Sequence, residues 1–174
     1  SALIVDDHDN IIETSLDDKI LSASSKEAGI ENPDQKTTLD YHLTVREIVD
    51  FASSVAYEDI QFILESRTLN LALAHEGLNG KYGLKVGWAI NLQDNREVFG
   101  GDFLCYAMSL TAAASDARMA GCTLAAMSNS GSGNQGITVT MPVIAYSIRY
   151  GTDDEKLARA LVLSHLIAIH IKGY

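Results

Sequence analysis

The chain has 174 residues, of which 47% are hydrophobic and 21% charged, and its formal net charge is −10. This composition supports a domain with a hydrophobic core and excludes disorder as the dominant state. The negative charge argues against a nucleic-acid partner, because a phosphate backbone would be repelled. No stretch reaches the roughly 20 apolar residues of a membrane span and no signal peptide opens the chain, which predicts a cytoplasmic protein that binds a small polar metabolite.

The first 35 residues predict a small strand element followed by a linker. Residues 2–5 and 11–12 are short apolar runs separated by polar residues around His8, a pattern that indicates a β-hairpin. Turn chemistry explains the acidic residues beside His8 better than a metal site, because adjacent residues do not all converge on one ion. Residues 16–35 are polar and predict a loop with at most a short helix, so we place a domain boundary after residue 35.

From Thr44 onward the pattern is helical. Thr44 and Glu47 predict a capping box, and apolar residues at steps of three and four predict a second helix over 57–74. The glycines of 77–87 are expected to end that helix and to prevent another. Helices are also predicted over 103–119 and over 137–150, with Gly151 as the C-terminal stop. We therefore expect an α+β, predominantly helical fold: an N-terminal antiparallel strand element, then a helix bundle-like core formed by residues 36–174.

The last predicted helix is apolar on nearly every side. Acidic residues at 153–155 cap its start, and residues 157–171 are interrupted by few polar side chains. A helix that is apolar all round must be covered all round. We expect the cover to come from a missing remainder of a longer parent protein or from another chain.

A polar, glycine-rich loop at 128–136 is the main functional candidate. It carries Ser, Asn, Gln and Gly but no large apolar side chain, and it precedes an apolar helix. Free amides at a helix N-terminus attract anions, although a purely helix-capping loop would have the same composition. Asp116 and Arg118 lie two apart near the end of the preceding helix and so point to different sides. One of them is expected to turn toward the loop, and the segments 77–87 and 128–136 are expected to approach each other.

The sequence Ser-Asn-Ser-Gly-Ser-Gly-Asn-Gln-Gly-Ile, preceded by Ala-Ser-Asp-Ala-Arg-Met, resembles the serine dehydratase-like alpha-subunit family. Within that family it is most similar to the branch of iron–sulfur L-cysteine desulfidases and their uncharacterised bacterial relatives. The Glu-Gly-Leu and Gly-Lys segment at 76–87 is also similar, and the resemblance covers residues 43–172. It implies a lyase that uses a 4Fe–4S cluster to eliminate sulfide from L-cysteine, or water from L-serine, giving pyruvate and ammonia. The alternatives are a non-catalytic domain that binds an amino acid or another small anion, and a structural domain whose loop contacts a partner.

The resemblance implies that this chain holds the substrate. Loop amides and Arg118 would bind the carboxylate, and Asp116 would accept from the ammonium group. His165 would carry a proton; the alternative interpretation is a hydrogen-bonded histidine in the core of an apolar helix. Cys105 and Cys122 are interpreted as buried free thiols, and the cluster ligands are expected outside this chain, which alone should bind no cluster and be inactive. The candidate site residues are Lys81, Asp116, Arg118, Asn129, Ser130, Ser132, Asn134, Gln135 and His165.

Overall fold

The computed structural model describes residues 2–4, 11–16, 19–23, 43–80, 82–92 and 102–173. The chain divides into two compact units, residues 1–40 and 41–174. In the first unit, strands β1 (Ala2–Ile4), β2 (Ile11–Leu16) and β3 (Lys19–Ala23) pair antiparallel in that order. The third strand lies where the sequence predicted a loop or short helix. The residues around His8 lie outside the described part of the chain.

The second unit is built from helices. Its first helix, α1 (Val45–Ser54), begins at the predicted capping box: Thr44 Oγ1 accepts from the Glu47 N–H, and the Glu47 carboxylate accepts from the Thr44 N–H. The remaining helical elements are α2 (Tyr57–Ile60), a 3-10 segment (Gln61–Leu64), α3 (Glu65–Leu78), α4 (Val86–Asn91), α5 (Asp102–Met119), α6 (Gly133–Tyr150) and α7 (Asp154–Lys172).

The predicted α+β class is wrong. Among the residues described between 43 and 173, every regular element is a helix, and the buried hydrophobic residues from Ile48 to Val162 all lie on helical segments. An α+β fold would need strands that contribute side chains to this core. The predominantly helical core is confirmed, and among the described residues of 43–173 it contains helices and no strand.

Helix α5 lies at the centre of this core, packed against α3, α4 and α6. Small residues line its buried face, which allows neighbouring backbones to approach closely: Ala107, Ala113, Ala114 and Ala117. Gly77 of α3 contacts the Ala113 backbone so tightly that a Cβ at residue 77 would lie 1.9 Å from the Ala113 oxygen. Helix α6 in turn packs against α7, and α7 against α1.

Two helix boundaries differ from the predictions for one physical reason. Helix α3 continues to Leu78 rather than ending near residue 74, and α4 begins at Val86 although glycines were expected to prevent it. Gly77 and Gly87 both lie against Ala113 of α5, where a side chain would collide. Close helix packing therefore outweighs the weak helix propensity of glycine.

Helix α7 has a polar start and a mixed surface. The Asp153 side chain accepts from the Lys156 N–H and caps it, as predicted. One face buries Leu157, Ala158, Leu161 and Val162, whereas Ile169 and Ile171 near the C-terminal end are 42% and 65% exposed. Of the helices in the described residues, none has the length and apolar character needed to span a bilayer.

Candidate functional site

A tight turn forms the tip of the loop between α5 and α6. The Asn129 N–H donates to the Ser132 carbonyl at 3.0 Å, and the Ser132 N–H donates back to the Asn129 carbonyl at 2.9 Å. The two central residues, Ser130 and Gly131, have φ angles of 48° and 76°, as a type I′ turn requires. Ser130 is not glycine, so its left-handed backbone is strained and must be held by its surroundings.

The Asn129 side chain anchors this turn to helix α7. Its side chain is 3% exposed, and its Nδ2 lies 2.8 Å from His165 Nδ1 and donates to the His165 carbonyl at 3.2 Å. Its Oδ1 accepts from Ser130 Oγ at 3.0 Å and from Gln135 Nε2 at 2.7 Å. All four hydrogen-bonding positions of the amide are therefore used. Asn129 connects the turn, the start of α6 and the middle of α7.

The glycine-rich loop is shorter than the sequence suggested, because α6 begins at Gly133 instead of Ile137. Ser132 is the N-cap: its Oγ accepts from the Gln135 N–H and its carbonyl from the Gly136 N–H. The N–H groups of Gly133 and Asn134 have no acceptor among the residues that the structure describes. They form the positive end of an 18-residue helix, where an anion is stabilised.

Arg118 lies directly over this helix start. A Cβ at Gly133 would meet Arg118 Nε at 2.3 Å, so the guanidinium occupies the space that a side chain would take. Arg118 Nη1 donates to Asn134 Oδ1 at 3.0 Å and lies 3.7 Å from Met119 Sδ. Within the described residues Arg118 pairs with no carboxylate. The guanidinium and these two amides therefore share one corner of the molecule, with no negatively charged partner among the described residues.

Asp116 turns away from that corner, as its two-residue offset from Arg118 predicted. Its Oδ2 accepts from the Gly87 N–H at 3.0 Å, at the start of α4. Both glycine-rich segments thus contact the last turn of α5, one through Asp116 and the other through Arg118. Of the remaining candidates, Ser132, Asn134 and Gln135 gather at the helix start, whereas Lys81 lies outside the described residues.

Two residues that the sequence did not single out also contact the loop. Asn70 of α3 is fully buried, donates to Thr140 Oγ1 at 2.7 Å and accepts from the Met127 N–H at 3.0 Å. Lys172 Nζ, from the last turn of α7, donates to the Ser130 carbonyl at 3.2 Å. A polar residue on the buried side of a helix was the available signal for Asn70, while nothing local pointed to Lys172.

His165 separates the loop from a second feature, a mostly apolar cavity of about 290 Å³ between α1, α2, the 3-10 segment and α7. Its Nε2 is buried without a hydrogen-bond partner among the described residues. Burial lowers the pKa of this imidazole, because the charged form loses its hydration. The neutral form is therefore favoured.

The two cysteines do not fit a 4Fe–4S cluster. Cys105 is buried and its thiol points to the Ile90 carbonyl at 3.5 Å. Cys122 is half-buried beside Tyr82, whose hydroxyl also donates to Glu76 Oε1; hydrogen bonding to Glu76 and then to Cys122 raises the pKa of Tyr82 to about 12. Such clusters are held by three or four thiolates, and no group of three or more His, Cys, Asp or Glu among the described residues suits a metal ion.

Comparisons with known proteins agree on one family. The chain is 47% identical over 175 residues to a UPF0597 protein of Aeromonas hydrophila and 45% identical over 172 residues to one of Oleidesulfovibrio alaskensis. It is 46% identical over 170 residues to UPF0597 protein YhaM of Escherichia coli K12. These matches cover 97% to 99% of this chain but only 38% to 39% of each relative.

The chain therefore spans about two fifths of the length of these curated relatives. No solved structure matches it. A family model described as serine dehydratase alpha chain matches residues 9–174. The loop, the arginine and the helix start all lie within that match, and the chain belongs to the serine dehydratase alpha chain family.

Proposed function

We propose that this chain is the substrate-holding part of a lyase that eliminates the β-substituent of an L-amino acid, L-cysteine or L-serine. In this proposal the start of α6 and Arg118 bind the substrate's α-carboxylate. The observation that carries it is the position of the Arg118 guanidinium over Gly133, beside two helix N–H groups without acceptors.

The electrostatics of this corner support an anionic ligand. A guanidinium placed at the positive end of a helix is repelled by the helix dipole. A carboxylate in contact with both groups would make this arrangement favourable, because it would accept from Arg118 and from the amides. The chain as a whole carries a net charge of −10, so an unpaired cation beside a helix N-terminus contrasts with its average surface.

The small number of donors at this corner supports a small ligand rather than a polymer. It is formed by one arginine, the first turn of α6 and the Asn129–Ser132 turn, with Lys172 at its edge. A single carboxylate could accept from Arg118 and from the two helix amides at once. Holding a small amino acid in a fixed orientation is the part of a β-elimination that such residues perform.

Among the residues that the structure describes, no cluster of side chains suits the 4Fe–4S group that the family resemblance implies. We therefore propose that any cluster ligands belong to the part of the protein that this chain does not span. The chain's own contribution is to bind and orient the carboxylate.

Calorimetric titration with matched ligands tests the carboxylate site. L-serine and L-cysteine should bind, whereas ethanolamine and cysteamine, which lack only the carboxylate, should not. Arg118→Gln should weaken amino-acid binding by about tenfold or more, because a charge-assisted hydrogen bond is lost. Arg46→Gln, at an exposed arginine of α1, is the control and should leave the affinity unchanged. Equal binding of the two amines, or an unaffected Arg118→Gln variant, would contradict the proposal.

A non-catalytic amino-acid-binding domain is the second candidate, because Arg118 and the start of α6 supply groups that bind a carboxylate and do not themselves catalyse a reaction. The two candidates differ in the longer protein that contains this chain. A lyase, prepared without oxygen, releases pyruvate from L-cysteine or L-serine, and Arg118→Gln lowers that rate. A binding domain binds the amino acid without releasing pyruvate.

A further inference from the structure

We infer that His165 is a positioning residue, which holds the Asn129 amide in one orientation and through it the turn and the start of α6. This inference rests on the proposed carboxylate site for its functional consequence. It assigns His165 a role that needs no proton transfer.

The contacts of Asn129 fix the tautomer of His165. Only the amide nitrogen can donate to the His165 carbonyl, so the amide's Nδ2 also faces His165 Nδ1. Nδ1 must then accept, and the neutral ring carries its proton on Nε2. Protonation of Nδ1 would set one donor against another at 2.8 Å.

At the other ring nitrogen, Nε2, no hydrogen-bond partner among the described residues would stabilise a positive charge. Nε2 is buried, and the walls of the adjoining cavity are mostly apolar, with Phe51, Ile63 and Leu166 among them. Asp59, from α2, is the charged residue described on those walls. Residues 161–169 of α7 contain no other titratable side chain. Burial lowers the imidazole pKa, in agreement with a neutral ring.

All four hydrogen-bonding positions of the Asn129 amide are occupied, so a change at His165 also affects the turn and the start of α6. Its oxygen accepts from Gln135 of α6 and from Ser130, whose backbone is left-handed. If Nδ1 were removed, one Nδ2 hydrogen would be left buried without an acceptor, which is unfavourable. A rotated or displaced amide would release Gln135 and the strained turn together, and both border the Gly133 and Asn134 amides.

Two substitutions separate positioning from proton transfer. His165→Asn places an acceptor where Nδ1 lies but has no titrating ring, so it should retain amino-acid affinity within about threefold of the wild type. His165→Leu keeps the volume but removes the acceptor, and it should weaken binding about tenfold. His75→Asn, at an exposed histidine of α3, is the control. Loss of binding in His165→Asn equal to that in His165→Leu would overturn the inference.

NMR provides a readout that needs no ligand. Nitrogen shifts should identify the Nε2–H tautomer in the wild type, and the pKa of His165 should lie below the usual value of a histidine. Both Asn129 side-chain amide protons should be protected from exchange in the wild type and in His165→Asn, whereas in His165→Leu the proton that faced Nδ1 should lose its protection. An Nδ1–H tautomer or unprotected amide protons in the wild type would overturn the inference even if amino acids bind. Expected NMR results without any amino-acid binding would reject only the proposed function.

Discussion

The two glycine-rich segments have similar compositions but different roles. In residues 77–87, Gly77 and Gly87 lie against the backbone of Ala113, and the Gly87 N–H and carbonyl are bonded to Asp116 and Ser109. In residues 128–136, only Gly136 of the three glycines packs against backbone in this way, at Met127; Gly131 has no heavy atom within 4 Å of a Cβ position, and Gly133 faces the charged side chain of Arg118. Glycine content alone therefore does not distinguish a packing contact from a ligand site. The atoms that lie opposite each glycine distinguish the two cases.

Alanine in place of a glycine that packs against a neighbouring helix backbone should have the largest effect on stability. Gly77→Ala forces a Cβ into the Ala113 backbone and should lower the free energy of unfolding by about 3 kcal/mol, because neither helix can shift without disturbing the core. Gly131→Ala meets no atoms and should cost only about 1 kcal/mol for its left-handed backbone. Urea unfolding measures both variants. Equal losses of stability would remove the distinction between the two segments.

An intermediate effect is expected from Asn70, which anchors the second segment to α3. Asn70→Leu leaves the Met127 N–H without its buried acceptor and should cost about 2 kcal/mol in urea unfolding. It should also weaken amino-acid binding, since residue 127 precedes the turn. Asn79→Leu, at an exposed residue just after α3, is the matched control. A stable Asn70→Leu variant with normal binding would show that the loop is held by other contacts.

The smallest change in stability is expected at the last turn of α5, where Asp116 contacts the first glycine-rich segment and Arg118 contacts the second. Asp116→Ala removes one hydrogen bond to the Gly87 N–H and should lower stability by about 1 kcal/mol without changing the affinity for L-serine. Arg118→Gln should instead weaken the binding of L-serine and leave the stability unchanged. Asp50→Ala, on the exposed side of α1, controls for loss of a surface carboxylate. If Asp116→Ala also abolished binding, both segments would belong to one ligand site.

Much of the local architecture could be predicted because its causes are local. The capping box at Thr44, the Asp153 cap, the stop at Gly151 and the opposite directions of Asp116 and Arg118 all depend on residues within a few positions of each other. The extra turn of α3, the start of α4 and the start of α6 at Gly133 were missed. At α3 and α4, contacts with α5 override the propensity of glycine.

Local patterns in the amino-acid sequence were sufficient to predict a helical core, the caps at several helix ends and a polar loop that precedes an apolar helix. The packing of the helices was needed to show which residues meet at that loop. His165 and Asn129 are separated by 36 residues, Asn70 and Met127 by 57, and Lys172 and Ser130 by 42. Periodicity and capping report contacts within one or two helical turns, whereas these pairs depend on how α3, α6 and α7 pack around α5.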